Sequence, residues 1–155
     1  LKESMDLRLE HEMENAEVCA RLDAALPPDI HVFAVTDPVM KPGAIAYASY
    51  QLKIPSPAPE AQCEQVRALF ATDPLFVEKR SKHGPLQMNL HPELRDTTVS
   101  AAEDSLQIDA LLAAGGNFNL NPSLLLQCIE RALFPVPEVT IVRTGLWNAD
   151  KKPFQ

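Results

Sequence analysis

The chain has 155 residues, of which 46% are hydrophobic and 23% charged, so it can bury the core of one ordinary domain, or of one module and part of another. It contains no apolar run near the length of a membrane span and no signal-peptide pattern, which predicts a soluble, cytoplasmic protein without membrane contact. The net charge of −7 argues against the uniformly basic surface of a protein that coats nucleic acid, but it is compatible with a local basic patch.

The first 36 residues predict a partial β-α-β half module. Residues 5–12 alternate apolar and polar side chains, as a strand with one wet face does. A helix is expected over 15–26, with Asn15 as its N-terminal cap, and a strand over 30–35. Because this is half of a split βαβ module and the chain starts at Leu1, we expect the other half to precede it in a longer protein.

After a linker at 36–43, residues 44–147 predict a complete βαββαβ module with the ferredoxin-like (split βαβ) fold, a two-layer α+β sandwich with an antiparallel sheet. The predicted elements are a strand at 44–54, a helix at 60–71, a strand at 75–80 with a short return strand at 86–90, a strand at 105–113, a helix at 121–133 and a strand at 139–144. Residues 93–103 are polar and give no clear prediction, and 148–155 form a tail that is expected to fray. Two helices on one face of such a sheet leave the other face available for binding.

No residue pattern predicts catalysis or a metal site. The cysteines at 19, 63 and 128 are far apart, and each lies at an inward position of a predicted helix, where a thiol packs as a small apolar group. The four histidines lack the spacing of a zinc site, and an iron–sulfur cluster needs cysteines grouped in one loop. We therefore expect no metal, cofactor or catalytic residue in this chain. The residues of a Ser-His-Asp triad meet in space and need no fixed spacing in the sequence, so an enzyme of that kind remains one of the alternatives.

The basic segment Lys79, Arg80, Lys82 and His83 leaves a strand and enters a turn. It is either a solvated hairpin tip or a finger that contacts phosphates, as lysine and arginine do in nucleic-acid complexes. Arg143 is a candidate to join it.

Two aromatic residues and one loop are further candidates. Trp147 and Phe118 would stack on bases if exposed, and would close the end of the core if not. Gly115, Gly116 and Asn117 precede a helix N-terminus, where N–H groups can hold an anion. The alternative is a loop that needs glycine for its backbone angles.

Four stretches resemble one known family. They are Leu22–Pro27, Val77–Gly84, Ala114–Pro122 and Val142–Trp147. In this order they resemble the C-terminal two-thirds of the radical-SAM-linked domain of unknown function, which is found fused or adjacent to a cobalamin-binding radical-SAM protein. The resemblance implies a radical-SAM partner, fused or separate, that carries an iron–sulfur cluster, S-adenosylmethionine and, where it binds it, cobalamin.

The genes that usually lie beside those of this family imply a role in RNA or ribosome modification. Its N-terminal section, with a histidine-containing segment and a Gly-Phe-Asn-Pro-His-Pro type loop, is absent from this sequence. Loops of that kind resemble those of RNA-binding ferredoxin-like proteins of the CRISPR repeat-processing type, so an active site housed there would be missing here.

Three functions follow as hypotheses. The leading one is a non-catalytic binding domain that presents an RNA or protein substrate to a radical-SAM partner. The second is part of an RNA-processing or RNA-modifying enzyme whose catalytic residues lie mainly in the missing N-terminal region. The third is a small-molecule-sensing or dimerising module, with a homo-oligomer as one outcome, and the acidic net charge favours it over nucleic-acid binding.

Overall fold

The computed structural model describes residues 5–81 and 84–154, apart from the side chains of Pro42, Arg80 and Ser81. The described chain divides into two compact units, residues 5–42 and Gly43–Phe154. None of its helices is both long and apolar enough to cross a bilayer.

The first unit is built on one helix, α1, at Asn15–Ala25. The chain that follows α1 folds back along this helix. Two hydrogen bonds hold it there: the backbone N–H of Val32 donates to Asp23 at 3.1 Å, and the Cys19 thiol donates to the Val32 carbonyl at 3.6 Å. Residue 14, rather than Asn15, occupies the cap position, and its side chain makes no capping hydrogen bond. The helix was therefore predicted correctly and its cap was not.

The strands expected at 5–12 and 30–35 are not present, so the half module consists of its helix alone. A strand persists by hydrogen bonding to a neighbouring strand, and within the described residues neither segment forms such a ladder. The apolar side of the first segment is accordingly exposed, with Met5 71% accessible.

The described residues of the second unit form six strands, two helices and a short 3-10 turn at His91–Leu94, and another 3-10 turn, at Pro42–Ala44, begins at the last residue of the first unit. The elements are β1 at Ile45–Pro55, α2 at Pro59–Phe70, β2 at Phe76–Ser81, β3 at Gly84–Asn89, β4 at Thr97–Ala102, β5 at Ser105–Ala113, α3 at Ser123–Ala132 and β6 at Thr140–Asn148. Strands β4, β5, β1 and β6, in that spatial order, form one antiparallel sheet. The order β1-α2-β4-β5-α3-β6 with this arrangement is the predicted ferredoxin-like, two-layer α+β fold.

The second strand of the sheet is not the one that the sequence suggested. The strand predicted at 75–80 pairs only with β3, as a separate two-stranded hairpin inserted between α2 and β4. The sheet strand β4 comes from the polar stretch at 93–103. Because β4 is an edge strand, only Val99 on it is buried, and its hydrophobic pattern is too weak to recognise. Its outer edge is bonded by Arg67, which donates to the Val99 carbonyl at 2.7 and 3.0 Å.

The core lies between the sheet and the two helices. Strands β1 and β5 alternate, and their buried apolar side chains are Ala48, Leu52, Ile54, Leu106, Ile108, Ala110 and Leu112. Helices α2 and α3 cover this face with Cys63, Val66, Leu125 and Ile129 among others. On α3 the buried positions extend to Ile129, after which Ala132 and Leu133 are exposed.

The segment after β6 is folded rather than frayed, at least to Phe154. Asn148 accepts hydrogen bonds from the backbone N–H groups of Asp150 and Lys152 at 3.0 and 2.9 Å, which closes a tight turn. The N–H of Phe154 then donates to the Leu146 carbonyl at 2.9 Å. The tail therefore lies back along β6.

Truncating a core side chain of β1 should destabilise the fold strongly. Leu52 is fully buried between the sheet and the helices, so Leu52→Ala removes apolar contacts and leaves a cavity. We expect the free energy of unfolding to fall by about 2–5 kcal/mol in urea denaturation. Gln65→Ala, on the exposed side of α2, is the matched control and should change it by less than about 0.5 kcal/mol. A small effect at Leu52 would contradict the packing described.

Because Cys128 is buried, the stability of the fold should decrease at alkaline pH. Desolvation raises the pKa of its thiol from 9.0 to about 11, partly opposed by the charge of Arg131. The thiol therefore has a higher pKa in the folded state than in the unfolded state. Burial of the neutral thiol contributes fully to the free energy of unfolding below pH 9, and this contribution is lost as the pH rises towards 11. The difference in urea midpoint between the wild type and Cys128→Ala should therefore shrink over that range. A difference that stays constant between pH 8 and 11 would refute this.

Candidate functional site

The sheet has a second face, which α2 and α3 do not cover; we call it the open face. Its side chains are the polar partners in the alternation of β1, β5 and β4, joined by residues of β6. They include Tyr47, Ser49, Gln51, Lys53, Thr98, Ser100, Gln107, Asp109, Leu111, Thr144 and Trp147. All are partly or fully exposed.

Trp147 is held on the open face by a hydroxyl on the neighbouring strand. Its Nε1 donates to Ser49 Oγ at 3.0 Å, and the same oxygen accepts a hydrogen bond from Thr144 at 2.9 Å. The indole lies over Gly145, where a Cβ atom would stand 3.2 Å from the ring nitrogen. The absence of a side chain at Gly145 is therefore what lets the half-buried ring settle against the sheet.

A carboxylate flanked by two amides lies on the central strands. Asp109 accepts hydrogen bonds from the side-chain amides of Gln51 at 3.1 Å and Gln107 at 2.8 Å, one on each of its oxygens. Both glutamines belong to the open face, one on the adjacent strand and one two residues away on the same strand. This arrangement fixes the carboxylate orientation.

These groups surround a shallow depression of about 300 Å³. Its lining residues are Ser49, Tyr50, Asp96, Thr98, Asp109, Ala110, Leu111, Thr144, Trp147 and Lys151. One side is closed by the ion pair between Lys151 and Asp96, at 2.6 Å, which joins the turn after β6 to the start of β4. Since β4 and β6 are the two edges of the sheet, this pair reaches across the open face.

Lys79 and Phe118 come together away from this depression. The Lys79 ammonium lies 4.7 Å from the centre of the Phe118 ring and donates to the Asn119 carbonyl at 2.5 Å. The lysine is thus engaged by the loop before α3. Arg80 lies on β2 without a described side chain, and Lys82 and His83 lie outside the described residues.

Arg143 and Trp147 do not share a face, although they are four residues apart on one strand. A register shift in β6 pairs Arg143 with Tyr50, whose side chain packs on the core, and pairs Trp147 with Tyr47 on the open face. Without the shift, the alternation of a regular strand would place both on one face. The bulge therefore separates the arginine from the tryptophan.

The loop with Gly115, Gly116 and Asn117 is closed by its own hydrogen bonds, through a bridge between Ala114 and Asn119. Neither glycine has a positive φ, so the expectation of unusual backbone angles is wrong. The first N–H groups of α3 already have acceptors in Asn121 and Pro122. An anion at this loop would depend on the N–H groups of the loop itself.

The described residues contain no group of three or more His, Cys, Asp or Glu that could hold a metal ion. The cysteines at 63 and 128 are buried and the one at 19 is half-buried, as core packing predicts for the first two.

Residues 1–122 match the family model DUF2344, whose description is "Uncharacterized protein conserved in bacteria". The chain belongs to this family. That description names no function, and nothing in the match supports the radical-SAM link, which stays a proposal. No curated protein and no solved structure matches the chain.

The sequence named Trp147 as a stacking candidate but gave no sign of the residues around it. The signal for Ser49, Gln51, Gln107 and Asp109 was the polar half of the strand alternation, which marks a solvent-facing side but does not single out binding residues. Lys151 carried no signal, because it lies in the segment that was expected to fray.

Substituting Gly145 should displace the indole. Gly145→Ala places a Cβ 3.1 Å from Ser49 Oγ and 3.2 Å from Trp147 Nε1, so the ring must move and its hydrogen bond weakens. Trp147 is the single tryptophan of the chain, so intrinsic fluorescence reports on this position alone. We expect emission at longer wavelength and a loss of about 1 kcal/mol in unfolding free energy.

The matched control is Gly116→Ala, whose Cβ would meet no atom within 4 Å. It should leave the emission of Trp147 unchanged. Equal emission spectra for Gly145→Ala and the wild type would contradict the contact between the indole and Gly145.

Proposed function

We propose that this chain is a binding domain that catalyses no reaction itself, holds single-stranded RNA on the open face and presents it to a radical-SAM partner. The observation that carries the proposal is the indole of Trp147 settled on the sheet beside hydroxyl, amide and carboxylate groups. Of the two substrates considered, RNA and protein, this combination favours RNA.

The physical argument is that an unpaired base has a flat apolar face and a polar edge. A four-stranded sheet that exposes aromatic rings can stack bases, and polar side chains beside the rings can bond their edges. Trp147 supplies the ring, and its cross-strand partner Tyr47 adds a second aromatic group. The amides of Gln51 and Gln107 lie on the same face, within the reach of a bound strand.

Most of the net negative charge lies outside the unit that carries the open face, so it weighs little against RNA binding there. Residues 1–42 contain 4 Lys or Arg and 9 Asp or Glu, whereas residues 43–155 contain 10 and 12. The unit that carries the open face is therefore close to neutral. Binding by such a surface would rely on stacking and base contacts, with few phosphate contacts and a shallow dependence on salt.

The radical-SAM partner is proposed from the family resemblance alone. A radical-SAM protein would supply the iron–sulfur cluster, S-adenosylmethionine and, where it binds it, cobalamin, and this chain would supply affinity and orientation. The basic segment around Lys79 and the loop that it contacts are among the stretches that carry the resemblance. Lys79 and that loop do not line the depression, and they are candidates for contact with that partner.

Trp147 should account for a large part of RNA affinity. Stacking of one base on an aromatic side chain is worth about 1–3 kcal/mol, so Trp147→Ala should weaken binding of a single-stranded oligoribonucleotide roughly tenfold or more. Trp147→Phe should retain most of the affinity. Filter binding over a salt series measures both variants and the wild type.

The matched control is Phe118→Ala, because Phe118 is a second exposed aromatic residue that lies outside the depression. Its removal should leave the affinity unchanged. If the wild type binds no RNA at low salt, the RNA proposal is refuted. If Phe118→Ala weakens binding and Trp147→Ala does not, the binding surface lies at the loop before α3 instead of the open face.

A further inference from the structure

We infer that the depression on the open face is a pocket for one base and that it selects guanine, with Asp109 as the residue that determines specificity. The inference rests on the proposed function, because it names which part of an RNA the open face would recognise. It draws on the hydrogen-bonding capacity that remains in the depression after its internal bonds are made.

The Asp109 carboxylate retains two acceptor positions, one on each oxygen. Each of its oxygens accepts one hydrogen bond, from Gln51 or from Gln107, and each has a further lone pair. Because the two amides hold the carboxylate from both sides, its orientation is set before any ligand arrives. A preorganised acceptor pair binds a matching pair of donors without the cost of ordering a free side chain.

The other groups in the depression have less to offer. Ser49 Oγ accepts two hydrogen bonds and donates towards the Gly145 carbonyl at 3.5 Å, so its capacity is used. The Lys151 ammonium bonds Asp96 and keeps further N–H groups. Besides the Asp96 carboxylate, which is paired with Lys151, and the hydroxyls of Thr98 and Thr144, the depression therefore presents a pair of acceptors and a cationic donor.

Charge points to a base rather than a phosphate. The ionised side chains that line the depression are Asp96, Asp109 and Lys151, which leave one excess negative charge. A phosphate placed there would be repelled, whereas a base with N–H donors would be attracted. The volume of about 300 Å³ lies at the lower end of the range for ligand pockets, which suits one flat ring system against Trp147.

Among the four bases, guanine matches this pattern. Its Watson–Crick edge carries two adjacent donors, the ring N1–H and the amino group, next to the O6 acceptor. Adenine and cytosine place one donor beside an acceptor, and uracil places one donor between two acceptors. Only guanine can satisfy both oxygens of Asp109 while it directs an acceptor to an amide or ammonium donor.

The test compares four oligoribonucleotides, each a short uridine strand with G, A, C or U at one central position, by quenching of Trp147 fluorescence. We expect the strand with G to bind roughly tenfold tighter than the others, since bonds to a charged acceptor are the stronger kind. Asp109→Asn should reduce that preference to less than about threefold, because an amide offers one acceptor instead of two.

Asp104→Asn is the matched control, because Asp104 lies in the turn between β4 and β5, outside the depression, and should leave the preference for G unchanged. Equal affinity of the wild type for all four strands overturns the guanine assignment and leaves RNA binding intact. Failure of the wild type to bind any of them overturns the assignment together with the proposed function. The wild-type comparison does not depend on whether a variant folds.

Discussion

The pairing of β1 between β5 and β6 is the constraint on which the rest of the structure depends. Each of its core residues, such as Leu52, is buried only in one register, because a slip of one residue would turn the whole apolar set towards solvent. The same register decides which polar side chains meet on the opposite face. The contacts of Asp109 with Gln51 and of Trp147 with Ser49 are both cross-strand contacts to β1, so core packing and the candidate site are set by one pairing.

The bulge in β6 is the local irregularity with the largest consequence for the candidate site. It shifts the alternation by one residue between Arg143 and Trp147, so that one pairs with a residue that packs on the core and the other lies on the open face. It also brings Thr144 to the face of Ser49, where the two hydroxyls bond. Bulges recur beside binding sites because they re-aim side chains without breaking the strand. Here the result is an aromatic ring that is fixed by polar neighbours.

The family match and the candidate site overlap only in part. The matched residues 1–122 include β1, β4 and β5 with Asp109, and α3 and β6 follow them. The depression therefore combines Asp109 and Ser49 from the matched part with Thr144, Trp147 and Lys151 from beyond it. A family description without a function leaves the chemistry of this surface as the guide to what the chain binds.

The sequence by itself determined the elements with strong periodicity. Strands β1 and β5 and helices α2 and α3 bury continuous apolar stripes, and these stripes are legible at periods of two and 3.6 residues. It also predicted the fold class, although the strand that it placed second in the module, at 75–80, lies in the separate hairpin of β2 and β3. Edge strand β4 was missed, since a strand with one buried residue has almost no periodic signal, and the strands expected near the N-terminus lack partners among the described residues.

Only the tertiary structure decided the candidate site. The register shift in β6, the reach of Lys151 from the folded tail to Asp96 and the inserted hairpin of β2 and β3 each join residues far apart in the chain. Local patterns encode how one segment buries its own apolar side, and they are silent on which segment lies beside it. For that reason the sequence could name Trp147 only as an aromatic candidate, while the hydroxyl that holds it and the carboxylate that shares its depression emerge only when the strands are paired.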